Sequence, residues 1–155
     1  MRYYISHDDS KFKVKGIVKK YLSLELKYKL NKFSTYKKFG AEVKKSKTQL
    51  VKLLKKIKKS GKKIVSYGAT YKSATIFNYC KIDNKLIDYV IDTTKNKQKK
   101  YTPGSHLKIF SPNKQPFKRV DYYFLGAWNF KKEIFLKEKK FIEKKNSEWF
   151  SHVSL

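Results

Sequence analysis

Several kinds of residue are scarce in this sequence, and each scarcity argues against a class of protein. The single cysteine, Cys80, cannot form an internal disulfide framework or a multi-cysteine zinc site. There is no run of about 18 apolar residues and no charged-then-apolar leader, so we expect neither a membrane span nor a signal peptide. Together these features favour a reducing, cytoplasmic setting.

Arginine is almost absent, although the chain is strongly basic. Arg2 and Arg119 are the only arginines among 39 basic residues, which face 12 acidic ones and give a net charge of +27. Arginine reads bases through paired hydrogen bonds, whereas lysine acts as a solvated point charge. A codon-usage bias toward lysine explains this evenly spread charge as well as a nucleic-acid site does. We therefore do not expect nucleic acid as the main partner, and a lysine-rich nucleic-acid-binding module remains the alternative.

The hydrophobic pattern predicts an α/β fold. A hydrophobic fraction of 40 % over 155 residues is enough for a buried core. Residues 10–60 have helical spacing, with a break near residues 33–36, and end at Ser60-Gly61. Residues 61–155 alternate short apolar runs with helical segments. This alternation predicts a Rossmann-like, mostly parallel sheet flanked by helices and preceded by a helical N-terminal segment.

The predicted elements of the sheet domain can be placed by number. The expected strands are residues 64–67, 86–91, 106–110, 121–127 and 149–153, and the expected helices are residues 72–80 and 131–145. Residues 1–9 begin with a short apolar run that reads as a further strand with no neighbour close in sequence. The chain therefore divides into a strand-like opening (1–9), a helical lead-in (10–60) and a Rossmann-like domain (61–155).

The segment from Ser66 to Thr75 is the strongest candidate for a ligand site. A predicted strand meets Gly68 and a helix opens soon after, and a helix N-terminus favours an anion. A full G-x-G-x-x-G pattern would need glycine at Ser66 and Tyr71 as well, so close approach to a dinucleotide pyrophosphate is doubtful. An ordinary strand–helix turn is the alternative. The candidate anion-site residues are Gly68, Ala69, Lys72, Ser73 and Thr75.

Two further candidates follow later strands. Asp92 ends the strand at residues 86–91, near where doubly wound folds place an acid for ribose hydroxyls. Its alternative role is to cap Thr94. Trp128 and Asn129 follow the strand at 121–127, where an aromatic ring and an amide could frame a base or a sugar. Their alternative roles are to cap the core and the next helix.

Little else in the sequence has catalytic or metal-binding character. The histidines His7, His106 and His152 lack a regular ligand spacing, so no metal site is expected. Cys80 shares an apolar helix face with Ile76 and is expected to be a packed thiol. The sequence shows no catalytic triad and no paired acids placed for acid–base catalysis.

Four motifs, in the right order, resemble the C-terminal domain of the SAM-dependent sugar C-methyltransferases. These bacterial enzymes add a methyl group to a carbon of a nucleotide-linked keto-sugar. The resemblance covers nearly the whole chain, with one departure at Ser66, where the family usually has glycine. The motifs are Tyr67-Gly68-Ala69 with Lys72, Asp92 with Lys97-Gln98, Pro103-Gly104 with His106 and Ile109, and Ala127-Trp128-Asn129.

The resemblance implies a division of labour. The family's enzymes carry a cysteine-rich zinc-binding region and a SAM-binding domain with the catalytic residues ahead of this domain. The opening residues 1–5 resemble the last strand of that SAM domain. We therefore expect a C-terminal piece that holds no catalytic residue and no cofactor, helps to bind the nucleotide-sugar, and is inactive alone. SAM would belong to the missing domain, and a separate SAM-binding chain is a candidate partner.

A role without any ligand is a further alternative to nucleotide-sugar binding and nucleic-acid binding. The chain could be a structural remnant that only packs against a partner chain. That reading predicts an exposed apolar patch near Tyr3, Tyr4 and Ile5, and self-association that depends on it.

Overall fold

The computed structural model of the chain describes residues 3–139 and 147–153. They belong to two compact units, Met1–Val43 and Lys44–Leu155. Helix α1, Gly16–Lys27, lies in the first unit, whereas the long helix α2, Phe33–Lys59, begins in the first and ends in the second. None of the helices in these described ranges combines the length and the apolar character that crossing a membrane requires.

The first unit exposes the apolar side chains of α1. No residue of α1 is buried, and Leu22 and Leu26, which recur at helical spacing, are 53% and 60% exposed. The break between the helices ends where α2 begins, at Phe33, which is earlier than we expected from the sequence. Thr35 lies inside α2 and donates its hydroxyl to the Lys29 carbonyl over 2.7 Å, so its side chain links the first turn of α2 to the preceding loop.

The second unit contains a five-stranded sheet in the order β3-β2-β1-β4-β5. Every neighbouring pair of strands runs parallel. This confirms the predicted α/β fold with a parallel sheet flanked by helices and preceded by a helical segment. The elements are β1 (Ile64–Tyr67), α3 (Tyr71–Cys80), β2 (Tyr89–Ile91), β3 (Ile109–Phe110), β4 (Tyr122–Leu125), α4 (Lys131–Lys137) and β5 (Glu148–Phe150).

Apolar clusters cover both faces of the sheet, because successive strand residues point to opposite faces. Ile64 of β1 packs into one cluster and Val65 into the other. The first cluster joins the sheet to the later turns of α2 and to α3, through Leu50, Leu54, Ile57, Phe77 and Cys80. The second cluster joins the sheet to α4. It contains the aromatic rings of Tyr67, Tyr89, Tyr123, Phe135 and Trp149.

Four of the five strands are shorter than the apolar runs that predicted them, whereas β1 has the predicted bounds. Ile87 before β2 and Leu107 before β3 are buried, but their backbone N–H groups donate within turns and not to the ladder. The Ile87 N–H donates to the Asp83 carbonyl over 3.0 Å, and the Leu107 N–H donates to Thr102 Oγ1 over 2.9 Å. Helix α4 ends at Lys137, and residues 140–145 of the helix expected at 131–145 lie outside the described residues.

The strand expected at the opening of the chain is not formed. Tyr3, Tyr4 and Ile5 lie outside every strand and are 80%, 89% and 94% exposed, while residues 1 and 2 lie outside the described part. Extended chain needs a neighbouring strand to satisfy its backbone groups, and none of the five strands of the sheet pairs with these residues. Residues 3–5 therefore form no strand within the described structure, and their origin in a missing sheet stays a prediction.

At the amino edge of the sheet, Asp121 joins the entry points of β1 and β4. Its Oδ2 accepts the Lys63 N–H over 2.9 Å, and its Oδ1 lies 3.5 Å from Lys62 Nζ. The hydrogen bond from Lys63, together with the nearby Lys62 charge, lowers the pKa of Asp121.

Candidate functional site

The carboxyl ends of β1 and β4 lie side by side in the middle of the sheet. β1 ends at Tyr67 and β4 at Leu125, and these residues are register partners. The chain crosses from β1 through α3 to β2 on one side, whereas β5 follows β4 on the other. The strand order thus reverses between β1 and β4, and open α/β sheets bind ligands in the crevice outside such a switch point.

All the residues predicted for the ligand site follow the carboxyl end of a strand. Five lie on the β1–α3 connection or in α3, one follows β2 and two follow β4. The fold therefore brings to one edge residues that are up to about 60 positions apart in sequence. They are Gly68, Ala69, Lys72, Ser73 and Thr75, then Asp92, and finally Trp128 and Asn129.

Two glycines let the loops after β1 and β4 approach each other. Gly68 has φ +97°, in the left-handed region that favours glycine. A Cβ on Gly126 would lie 2.7 Å from Ser73 Cβ and 3.0 Å from the Gly68 carbonyl oxygen. Gly126 was not among the predicted site residues, although its place directly before the Ala127-Trp128-Asn129 motif was a usable signal.

Most backbone donors of the β1–α3 turn are already used within the protein. The N–H groups of Gly68 and Ala69 donate over 2.8 Å to the Ile91 carbonyl and to Asp92 Oδ2. The Thr70 N–H donates to Ser73 Oγ over 2.9 Å. The N–H groups of residues 71 and 72 have no acceptor among the described residues. An anion at this turn would therefore meet the first turn of α3 and not the glycine itself.

Asp92, which follows β2, holds the β1–α3 turn through its side chain. Its carboxylate accepts the N–H groups of Ala69 and Thr94, both over 2.8 Å, and lies 3.6 Å from Lys97 Nζ. Lys97 Nζ also donates to the Ala69 carbonyl over 2.8 Å, and Gln98 Nε2 donates to the Asp92 carbonyl over 3.0 Å. The Asp92, Lys97 and Gln98 motif thus forms one clamp around Ala69. The Asp92 contact with Thr94 matches the capping alternative, and its contact with a ligand hydroxyl stays a prediction.

The hydroxyls predicted for the anion site bond to nearby backbone. Ser73 is fully buried, and its Oγ donates to the carbonyls of Gly68 and Thr70 over 2.9 and 2.8 Å. Thr70 Oγ1 accepts the Ser73 N–H and Ser73 Oγ accepts the Thr70 N–H, and the two bonds form a capping box at the start of α3. Thr75 Oγ1 donates to the Tyr71 carbonyl over 2.9 Å. Direct ligand contacts of Ser73 and Thr75 stay predictions.

Lys72, Trp128 and His152 form a cluster at the mouth of the crevice. Lys72 Nζ lies 5.1 Å from the centroid of the Trp128 ring, within the range of a cation–π contact. The His152 ring is nearly perpendicular to Trp128, with the ring centroids 6.0 Å apart. Asn129 is exposed beside this cluster. Burial lowers the pKa of His152, which favours the neutral imidazole.

The Pro103–His106 turn lies against α3, away from this cluster. Asn78 Nδ2 donates to the Pro103 carbonyl over 3.0 Å and to the Ala74 carbonyl over 2.8 Å. Gly104 has φ +74°, and a Cβ there would overlap the Asn78 amide. The motif of Pro103, Gly104 and His106 therefore attaches a turn to α3.

No group of three or more histidine, cysteine or acidic residues that could hold a metal occurs within residues 3–139 and 147–153. Tyr67 Oη donates to Glu138 Oε1 over 2.6 Å, and burial, reinforced by that carboxylate, raises the pKa of Tyr67. Cys80 is buried among apolar residues, and this burial raises the pKa of its thiol, so the expected packed thiol is confirmed.

Over residues 1–153 the sequence matches the family model of the C-methyltransferase C-terminal domain. The chain belongs to this family. It is similar to C-methyltransferase NovU of Streptomyces niveus, with 34% identity over 108 residues. The matched segment is 70% of this chain but 26% of NovU, so it spans about a quarter of that relative. The resemblance carried by the four motifs is thereby confirmed.

Proposed function

We propose that this family member is the substrate-side domain of a sugar C-methyltransferase and binds a nucleotide-linked keto-sugar in the crevice between β1 and β4. The observation that carries this proposal is the contact of Lys72 Nζ with the Trp128 ring, 5.1 Å from the centroid, at the switch point of the sheet. A cation beside an exposed aromatic surface suits a ligand with an anionic part and a flat part. A nucleotide-sugar has both.

The diphosphate would lie over the first turn of α3. Lys72 would donate from its ammonium group, and the unpaired N–H groups of residues 71 and 72 would donate along the helix axis. Asp92 already occupies the Ala69 N–H, so Asp92 and Lys97 would hold the turn in shape and not contact the phosphates. Gly68 would serve the same purpose through its φ of +97°.

The uncharged part of the ligand would lie along Trp128 and Asn129. Trp128 is half-buried, so its ring offers a fixed surface at the crevice, and Asn129 is exposed beside it. An amide both donates and accepts, which suits sugar hydroxyls or the edge of a base. Methyl transfer itself would need SAM, which we assign to a separate domain or chain, and the chain alone would be inactive.

The test is calorimetric titration of the whole chain with UDP and with dTDP. Replacing Lys72 by alanine removes a charge-assisted contact of about 1.5–3 kcal/mol, which corresponds to a loss of affinity of about ten- to a hundredfold. Lys85→Ala is the matched control, because Lys85 is an exposed lysine in the loop after α3. It should leave the affinity unchanged. Equal affinities of both variants and the wild type would contradict the proposal, and so would no binding at all.

A nucleic-acid-binding role is the second candidate, because the net charge is +27. It predicts binding to DNA or RNA that weakens steeply as salt rises, since each lysine–phosphate contact releases counterions. Because many lysines would share the contacts, Lys72→Ala and Lys85→Ala should then weaken binding slightly and equally. This outcome differs from the selective loss expected for a nucleotide-sugar.

A further inference from the structure

A third loop reaches the same crevice from β5. β5 pairs in parallel with β4, so the residues after Phe150 emerge at the carboxyl edge of the sheet, next to the loop that carries Trp128. The ring of His152 packs against Trp128 with a centroid distance of 6.0 Å and against Phe124 with 6.4 Å. The Trp128 ring therefore contacts both Lys72 and His152.

One ring nitrogen of His152 is engaged and the other is free among the described residues. Nδ1 lies 3.3 Å from Ser151 Oγ, within hydrogen-bond distance. Nε2 has no hydrogen-bond partner in residues 3–139 and 147–153. The ring is held by two aromatic neighbours, so its orientation is fixed before any ligand arrives, and such preorganisation favours binding.

We propose that His152 is a further ligand-binding residue of this crevice, whose Nε2 hydrogen-bonds the nucleoside end of the bound nucleotide beside Trp128. This inference rests on the proposed function. Lys72 and the N-terminus of α3 would take the diphosphate. His152 packs against Trp128, the residue proposed to contact the uncharged part of the ligand, so His152 would meet that same part. The two residues would therefore recognise different parts of one molecule.

Two probes separate these parts. Inorganic pyrophosphate carries the anionic group alone, whereas UDP carries the anionic group and a nucleoside. The test is calorimetric titration of both probes into the whole chain and into three variants, His152→Phe, His152→Asn and Lys72→Ala. Phenylalanine keeps a planar ring against Trp128 but has no hydrogen-bonding atom, and asparagine keeps a hydrogen-bonding group.

His152→Phe should weaken UDP binding by about two- to tenfold, the value of one neutral hydrogen bond, and should leave pyrophosphate binding unchanged. His152→Asn should recover part of the UDP affinity, and Lys72→Ala should weaken both probes. A purely structural role of His152 predicts a different pattern, in which His152→Phe weakens both probes or neither, and either result would overturn the inference. If the wild type binds UDP normally in that case, the proposed function survives. If the wild type binds neither probe, the proposed function fails together with this inference.

Discussion

Removing the carboxylate of Asp92 should release the β1–α3 turn from the end of β2 and lower the free energy of unfolding. Asp92→Ala deletes the acceptors of two backbone N–H groups, those of Ala69 and Thr94, both at 2.8 Å. It also leaves Lys97 without its carboxylate partner at 3.6 Å. The Ala69 N–H belongs to a residue 23 positions away and has no other acceptor among the described residues, so its loss is not repaired locally.

The size of the effect follows from these contacts. A hydrogen bond to a charged group contributes about 1.5–3 kcal/mol, so the two bonds together amount to about 3–6 kcal/mol. The Lys97 pair adds little, because the lysine side chain is 43% exposed and surface ion pairs contribute about 0–1 kcal/mol. We therefore expect the free energy of unfolding to fall by about 3–6 kcal/mol, a large share of the stability of a domain of this size.

Urea denaturation, followed by far-ultraviolet circular dichroism, measures this change. Asp83→Ala is the matched control, since Asp83 accepts one N–H, that of Lys85, two residues ahead over 3.0 Å. It reproduces the local half of the Asp92 contacts without the long-range bond to Ala69. If Asp92→Ala cost no more than Asp83→Ala, the clamp would not hold the turn and this account of Asp92 would be refuted.

Two further predictions concern the loops around the sheet. Gly126→Ala places a Cβ 2.7 Å from Ser73 Cβ and 3.0 Å from the Gly68 carbonyl oxygen. It should lower stability by about 1–3 kcal/mol, which thermal melting would detect. Asp121 has a lowered pKa in the folded chain, so its stabilisation is complete above the ordinary value of 3.8 and is lost as the pH falls through the lowered pKa. Asp121→Asn should therefore flatten the fall of the melting temperature at acid pH.

These predictions have controls within the chain. Gly40→Ala lies in α2 where a Cβ would meet nothing within 4 Å, so it should not destabilise the protein. A loss equal to that of Gly126→Ala would mean that contact with Ser73 is not the cause. For the acid prediction, the wild-type curve serves as the comparison. An Asp121→Asn curve that is parallel to the wild type would contradict the assignment.

The sequence predicted the residues of the site better than their roles. Glycine, lysine and tryptophan stand directly after apolar runs, and such runs predict strands whether or not every residue joins the ladder. Hydrogen-bonding partners are a different matter. Ser73 and Asp92 are predicted to contact a ligand, and the structure adds partners within the protein, the Gly68 carbonyl for Ser73 and the Ala69 N–H for Asp92. No local pattern announces such a pairing.

His152 is a residue that the sequence did not predict for the site but that the fold brings to it. Considered by itself in the sequence, it lacks ligand spacing, and only the position of β5 beside β4 brings it to Trp128. The opening residues 3–5 show the limit for secondary structure, since their apolar character predicted a strand that the fold gives no neighbour.

The sequence by itself determined the class of fold, the order of the elements and the family, because hydrophobic period and local motifs depend on neighbouring residues alone. Tertiary structure decided which strands are neighbours, where the ladder begins and which polar groups are consumed inside the protein. The physical reason is that parallel strands pair through crossovers, so residues far apart in the chain meet at one edge. Lys72, Trp128 and His152 become a cluster only there.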